Sequence, residues 1–239
     1  MKYLDRTLQT PQENLACDEA LLDSCEEGFP DEILRFWEPR QHFVVLGYSN
    51  KARSEVNLDS CQRLGVPVLR RCSGGGTVLQ GPGCLNYALL LKIHDDSPLT
   101  SITAANAFIM NRNRNALNSL LGGKVLIQGH TDLTLQGAKF SGNSQRRKRR
   151  FLLFHGSFLL DVDLALVEQT LPMPSRQPQY RGDRAHQDFL TNLNLPARAV
   201  KEAMKQTWNA TVALEELPEK RIQQLLRDQY ATDAWNFKF

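Results

Sequence analysis

The residue pattern predicts an α+β domain, and three observations lead there. Strand-like and helix-like segments come in blocks with hairpins between them, not in regular βαβ alternation. Short apolar runs at 43–47 and 85–92 are bounded by turn residues, which suits antiparallel or mixed sheets. A chain of 239 residues that is 41% hydrophobic and 23% charged has globular composition and enough length for one substantial core.

Taken in order, 11–27 predicts a helix, with Pro11 near its start, Leu15, Ala16, Leu22 and Cys25 at helical spacing, and Gly28 after its end. Strands follow at 33–37 and 43–47, then a helix at 55–64 closed by Gly65. A strand at 67–70 feeds a glycine loop, and another at 85–92 follows the Gly81-Pro82-Gly83 turn. Ile102, Ala105, Phe108, Ile109, Leu117, Leu120 and Leu121 form an amphipathic stripe, which predicts a long helix ended by Gly122-Gly123. Short strands are expected at 125–128, 132–136 and 139–141, with 151–160 pairing back after a basic turn. Helices at 164–171, 197–208 and 214–230 complete the reading.

Composition narrows the function classes. Five cysteines without CxxC spacing, beside only five histidines, support neither a disulfide framework nor a zinc site, so no metal ligands are assigned. No run reaches the roughly eighteen apolar residues of a membrane span, and the first residues lack the apolar core of a secretion signal. A cytoplasmic protein without a membrane role is expected. The net charge of +3 is too small to impose nucleic-acid binding, and Arg146-Arg147-Lys148-Arg149-Arg150 lacks interleaved aromatic residues. That run is expected on a solvated turn, where it could also dock an acidic protein.

The chemistry starts at Arg70-Arg71-Cys72-Ser73-Gly74-Gly75-Gly76-Thr77. Two guanidinium groups run into three glycines whose bare backbone can touch a ligand, a combination suited to an anion. A second segment, Gly129 through Ser144, contains Asp132-Leu133-Thr134-Leu135-Gln136-Gly137-Ala138-Lys139-Phe140-Ser141-Gly142-Asn143, and Phe154-His155-Gly156-Ser157 follows. In this order the motifs resemble the lipoate-protein ligases and their relatives, the octanoyl and lipoyl transferases, and more distantly the biotin protein ligases. The resemblance runs from about residue 30 to about residue 195.

The resemblance implies one large and one small mixed sheet flanked by helices, with a cleft between them. It implies a single catalytic domain over 1–239, with 196–239 a helical C-terminal extension. The implied activity is ATP-dependent attachment of lipoate or octanoate to a lysine through lipoyl-AMP, with ATP, Mg²⁺ and lipoic acid as the small molecules. The implied acceptor is an apo lipoyl domain or a glycine-cleavage H-like protein. Because 196–239 is shorter than a full accessory domain, a separate accessory subunit is also possible.

The resemblance makes Lys139 and Asp132 the catalytic candidates: it implies an ammonium that bridges acyl carbonyl and phosphate, and a carboxylate able to orient or deprotonate the incoming amine. Arg71 and Arg70 would contact phosphate or acyl carboxylate. Ser73, Gly74, Gly75 and Gly76 would wall the acyl chain and nucleotide, and Asn86 would lie near the acyl group. Ser141, Gly142, His155 and Gly156 complete the expected binding set. Thr131 stands where the family usually has asparagine, Gln80 where it often has histidine, and 180–193 resembles a mobile covering loop.

Transferases of this family pass the acyl group through a cysteine thioester. Neither family position for that cysteine holds a thiol here, since one carries Leu152 and Leu153 and the other Gly129, His130 and Thr131. Adenylate chemistry is therefore the expectation. Acyl transfer between carrier proteins is the alternative, and a non-catalytic relative that binds lipoyl domains is a third reading.

Overall fold

The computed structural model describes residues 1–239, and its large sheet is the frame on which everything else is hung. Eight strands run in the spatial order β11-β1-β2-β6-β10-β9-β8-β7. They are β1 (Lys2–Asp5), β2 (Ile33–Trp37), β6 (Cys84–Lys92), β7 (Val125–Gln128), β8 (Asp132–Leu135), β9 (Ala138–Arg147), β10 (Phe151–Leu159) and β11 (Val212–Ala213). β1 lies parallel to β2 and β11, and the other pairs are antiparallel. A second sheet has the order β4-β3-β5, built from β3 (Phe43–Leu46), β4 (Val68–Arg70) and β5 (Val78–Gln80). The α+β class and the pair of mixed sheets agree with the sequence expectation.

Each face of the large sheet has its own core. Leu85, Tyr87, Leu89 and Leu91 of β6 face α4 (Ile102–Leu121) and α7 (Ala197–Thr207), where Ile109, Leu117, Val200 and Met204 meet them. Ala88 and Leu90 point the other way, toward α1 (Pro11–Glu27) and β3. A strand buried on both faces reads as a continuous apolar run, which explains Cys84–Lys92. The N-terminus of α1 is set by Thr10 and Glu13, which form a reciprocal capping box with Pro11 in the first turn.

Four expectations need correction. The helix expected at 55–64 is two short ones, α2 (Ala52–Glu55) and α3 (Leu58–Leu64), because the Asn57 side chain caps a fresh start at Ser60 N–H. The helix expected at 214–230 begins only after Pro218, as α8 (Glu219–Leu225), and continues as a π-helical turn to Tyr230. The strand expected at 139–141 extends to Arg147, so the basic turn is shorter than expected. It is also tied down: Lys148 pairs with Asp23, Arg147 donates to the Leu99 and Thr100 carbonyls, and the Arg150 N–H donates to Glu26. Arg146, Arg149 and Arg150 stay exposed.

The C-terminal segment is woven into the body of the protein. β11 lies beside β1, with the Leu214 N–H donating to the Tyr3 carbonyl at 2.7 Å, and α9 (Asp233–Asn236) packs against β4. The remaining helices, α5 (Leu164–Thr170) and α6 (His186–Phe189), pack on each other beside the small sheet and β9. No helix is long and apolar enough to cross a membrane.

Candidate active site

A cleft of about 640 Å³ opens between one face of the large sheet and the small sheet. Strand register explains what lines it. Gly142 pairs with Ser157, Ser157 with Asn86, and Asn86 with Trp37, so these four form one row across β9, β10, β6 and β2. Directly paired residues share a face, and all four line the cleft. The next row on that face is Ser144, His155, Ala88 and Arg35.

Lys139 stands at the mouth. The β8–β9 connection places Gln136 and Gly137 at φ 52° and 81°, the positive values that a two-residue hairpin turn demands, and a bulge between Leu133 and Thr134 adjusts the register. Lys139 Nζ lies 2.8 Å from Asp132 Oδ1, and the Tyr180 hydroxyl donates to Asp132 Oδ2 at 2.7 Å. A Cβ on Gly142 would stand 2.8 Å from that ammonium, so glycine leaves room for it. Burial, and then the Asp132 charge, push the Tyr180 phenol far above its usual range, so it remains a donor. Leu190 bridges to Lys139 and the Thr191 N–H donates to its carbonyl at 2.9 Å. The 180–193 segment is thus docked on the β8–β9 hairpin.

The two arginines before the glycines do different things. Arg71 lines the cleft, yet its Nε and Nη2 donate to the carbonyls of Gly74 and Gly76 and to Ser73 Oγ. It holds the loop in shape, and burial lowers its pKa to about 10. Arg70 does not reach the cleft, which corrects the expectation for it. Fully buried, it donates to the carbonyls of Gly47, Tyr48 and Asn50 on one side and Trp235 and Asn236 on the other. It fastens the C-terminus to the base of the loop. Gly75 and Gly76 line the cleft, whereas Gly74 faces an outer groove and Ser73 is buried behind the wall.

Ser73 Oγ meets His155 Nε2 at 2.5 Å, and His155 Nδ1 faces Asp18 Oδ2 at 3.3 Å. Asp18 also forms a wholly buried ion pair with Arg35. Burial raises the Asp18 pKa, but Arg35 and the His155 hydrogen bond outweigh it and hold the carboxyl below its usual value. An Arg35–Asp18–His155–Ser73 chain therefore runs beneath the cleft, exposing Asp18 and His155 to it. His155 was foreseen; Asp18 and Arg35 were not, although an aspartate among the apolar residues of α1 and an arginine within Ile33–Trp37 were signals. Gly156 is required by contact, since a Cβ there would stand 1.8 Å from Asn143 Oδ1. Asn143 in turn donates to the Thr131 carbonyl at 2.7 Å and accepts from the Tyr87 hydroxyl, which ties the hairpin to the core.

Ser141, Asn86, Lys139, Asp132, Gly142, His155 and Gly156 all line this one cleft. No cysteine does. All five thiols are free and buried, and burial raises Cys17 and Cys84 to about 11 and Cys25 to about 12. No cluster of three or more His, Cys, Asp or Glu side chains is placed to hold a metal.

Comparison with known proteins gives this geometry its context. Octanoyltransferase LipM of Carboxydothermus hydrogenoformans is 28% identical, covering 100% of this chain and 98% of its own. Lipoate-protein ligase A subunit 1 of Thermoplasma acidophilum is 25% identical over 96% of this chain and 94% of its own. Among solved structures, the bipartite lipoate protein ligase of Thermoplasma acidophilum, described with its E2 lipoyl domain, superposes with a TM-score of 0.83 at 24% identity, covering 99% of this chain and 96% of that one. A lipoate-protein ligase A bound with ATP superposes at 0.82 and 24% identity, covering 99% of each. The family model described as the lipoyl protein ligase A/B catalytic domain matches residues 10–213, and the chain belongs to that family.

Proposed function

We propose that this chain moves a lipoyl or octanoyl group onto the side-chain amine of an acceptor lysine. The observation that carries the reading is the convergence of the Lys139 ammonium, the Asp132 carboxylate and a long sheet-floored cleft on one site. An acyl chain would lie in the cleft with its carbonyl beside Lys139. As the acceptor amine attacks, negative charge builds on the carbonyl oxygen, and an ammonium held by Asp132 and given room by Gly142 is positioned to stabilise it. Asp132 is the carboxylate near enough to take the amine proton. The C–N bond forms, the bond from carbonyl carbon to leaving group breaks, and the proton departs with that group.

Two donors fit this step. Relatives named octanoyltransferase favour an acyl thioester on a carrier protein, and that reading stands ahead of the ATP-dependent ligation expected from sequence. A specific feature favours ligation as the second reading: with no cysteine in the cleft, an acyl-cysteine has no site, whereas an acyl-adenylate needs none. Transfer from a carrier would then pass directly from thioester to amine. For nucleotide, Arg176 and Lys139 are cleft cations able to face phosphate, and Mg²⁺ would arrive largely on phosphate oxygens. The relative named as subunit 1 of a ligase favours a separately encoded partner, and the bipartite neighbour's lipoyl domain favours that class of acceptor.

The test is to weigh an apo lipoyl domain after incubation with octanoyl carrier protein alone, and separately with ATP, Mg²⁺ and lipoate or octanoate. A gain of one acyl mass with the first donor supports transfer, and with the second supports ligation. An unmodified acceptor under both conditions, in cell extract as well as in buffer, overturns the proposal.

A further inference from the structure

A line of hydrogen-bonded side chains runs from the helices on the far side of the large sheet to the turn just before Asp132. Trp208, which closes α7, donates from Nε1 to Asn113 Oδ1 of α4 at 2.9 Å, and Asn113 Nδ2 donates to the Tyr87 hydroxyl at 2.7 Å. Tyr87 donates in turn to Asn143 Oδ1 at 2.5 Å, and Asn143 Nδ2 donates to the Thr131 carbonyl at 2.7 Å. The Thr131 hydroxyl returns a bond to the Asn143 carbonyl at 2.8 Å. Trp208, Asn113 and Tyr87 are buried, and Trp208 and Asn113 lie outside the cleft lining.

Strand register lets the line cross the sheet. Tyr87, Gly156 and Asn143 are direct partners on β6, β10 and β9, so the phenol reaches Asn143 over a residue that has no side chain. Phe158 stacks on the Tyr87 ring with centroids 5.1 Å apart and holds its direction. The line also has one polarity, fixed at both ends. An indole nitrogen only donates and a peptide carbonyl only accepts, so both amides between them can point one way alone. Burial pushes the Tyr87 phenol well above its usual range, and it keeps the proton that it donates. The Thr131 carbonyl belongs to the peptide bond that enters Asp132, so the line ends on the plane from which that side chain departs.

We propose that Trp208, Asn113, Tyr87 and Asn143 are positioning residues, which fix the Thr131–Asp132 peptide and thereby aim the Asp132 carboxylate at Lys139. This rests on the role proposed for Asp132 in acyl transfer and deepens it. Lys139 and Tyr180 each hold one oxygen of that carboxylate, but both contacts are made at the end of a side chain. Neither fixes the backbone behind it. A group that takes a proton must stand within hydrogen-bond reach of it, and a displacement of about 1 Å can cost on the order of 10²-fold in rate. Trp208 would thus govern the chemistry from outside the cleft.

The experiment is a double-mutant cycle on the whole protein, read as acyl transfer to an apo lipoyl domain. Tyr87→Phe removes two bonds of the line and keeps the ring on Phe158, and it should lower kcat on the order of 10-fold with the KM for the acyl donor little changed. In an Asp132→Asn background the same change should cost almost nothing more, because its effect passes through that carboxylate. Losses that multiply in full overturn the proposal. Wild-type transfer by Asp132→Asn is a separate failure, which removes Asp132 from the chemistry. A second variant needs no activity. Trp208→Phe keeps a ring beside Phe108 and Arg112, and it should speed amide exchange at 130–133 by about 2- to 10-fold with no like change at the opposite turn, 136–138. Equal change at both turns, or none at 130–133, overturns the proposal even if Tyr87→Phe does not fold.

Discussion

The floor and the mouth of the cleft each hold an ion pair, and the two are built for opposite purposes. On the floor, Arg35 is fully buried and Asp18 nearly so, with the Arg35 Nη atoms also donating to Asn14 and His155 leaning on the same carboxylate. At the mouth, the Lys139 and Asp132 side chains are 22% and 14% exposed, and Lys139 has no other ion-pair partner. A charge in water-poor surroundings with every neighbour committed cannot exchange partners without heavy loss. A lysine at the rim can release its carboxylate for a carbonyl oxygen and recover it afterwards. An ion pair thus serves as scaffold at one depth and, under the proposed chemistry, as a reacting group at the other.

The sharpest way to break this contrast is Asp18→Asn. It leaves Arg35 uncompensated in the interior and should cost about 3–5 kcal/mol of stability, read from urea unfolding. An unchanged midpoint would show that the floor is not structural. The same variant has a pH signature. The Asp18 pKa is held below its ordinary value of 3.8 in the folded protein, so its stabilising contribution is complete above that value and is lost as pH falls through the folded pKa. Acid unfolding of wild type should therefore steepen below about pH 4, and Asp18→Asn should show a shallower dependence there.

Lys139→Met should do the reverse, lowering acyl transfer on the order of 10²-fold or more while leaving thermal unfolding nearly unchanged. Full turnover in that variant would remove the mouth from the chemistry. Arg70→Lys should sit between the two, because one ammonium cannot bridge carbonyls on both sides of the guanidinium. A loss of about 1–3 kcal/mol should appear as faster amide exchange at 233–237, with the transfer rate little affected. The smallest effect is expected from Tyr180→Phe, which removes one hydrogen bond to Asp132 and should slow transfer by about 3- to 10-fold. A slowing as large as that of Lys139→Met would mean that the tyrosine, not the lysine, governs the carboxylate.

Much of the frame was legible residue by residue. Thr10, Pro11 and Glu13 announce the start of α1, and Gly28 its end, through capping within a single turn. The Gln136-Gly137 turn places Lys139 because a tight hairpin leaves little freedom two residues on. Arg70 and Arg71 look equivalent on paper, yet Arg70 ends β4 and Arg71 opens the glycine loop. Local pattern could not supply the C-terminal carbonyls that occupy Arg70, which come from 165 and 166 residues away. The Asp18–His155 contact, 137 residues apart, was hidden for the same reason.

Capping, periodicity and turn chemistry act between residues within a few positions of one another, so the ends of α1 and α4, most strand runs and the α+β class could be inferred before any coordinates existed. Satisfaction of a buried charge or a buried polar atom depends on groups that packing brings from distant parts of the chain. Folding therefore settled which arginine holds the glycine loop and which the C-terminus, and which carboxylate lies under His155.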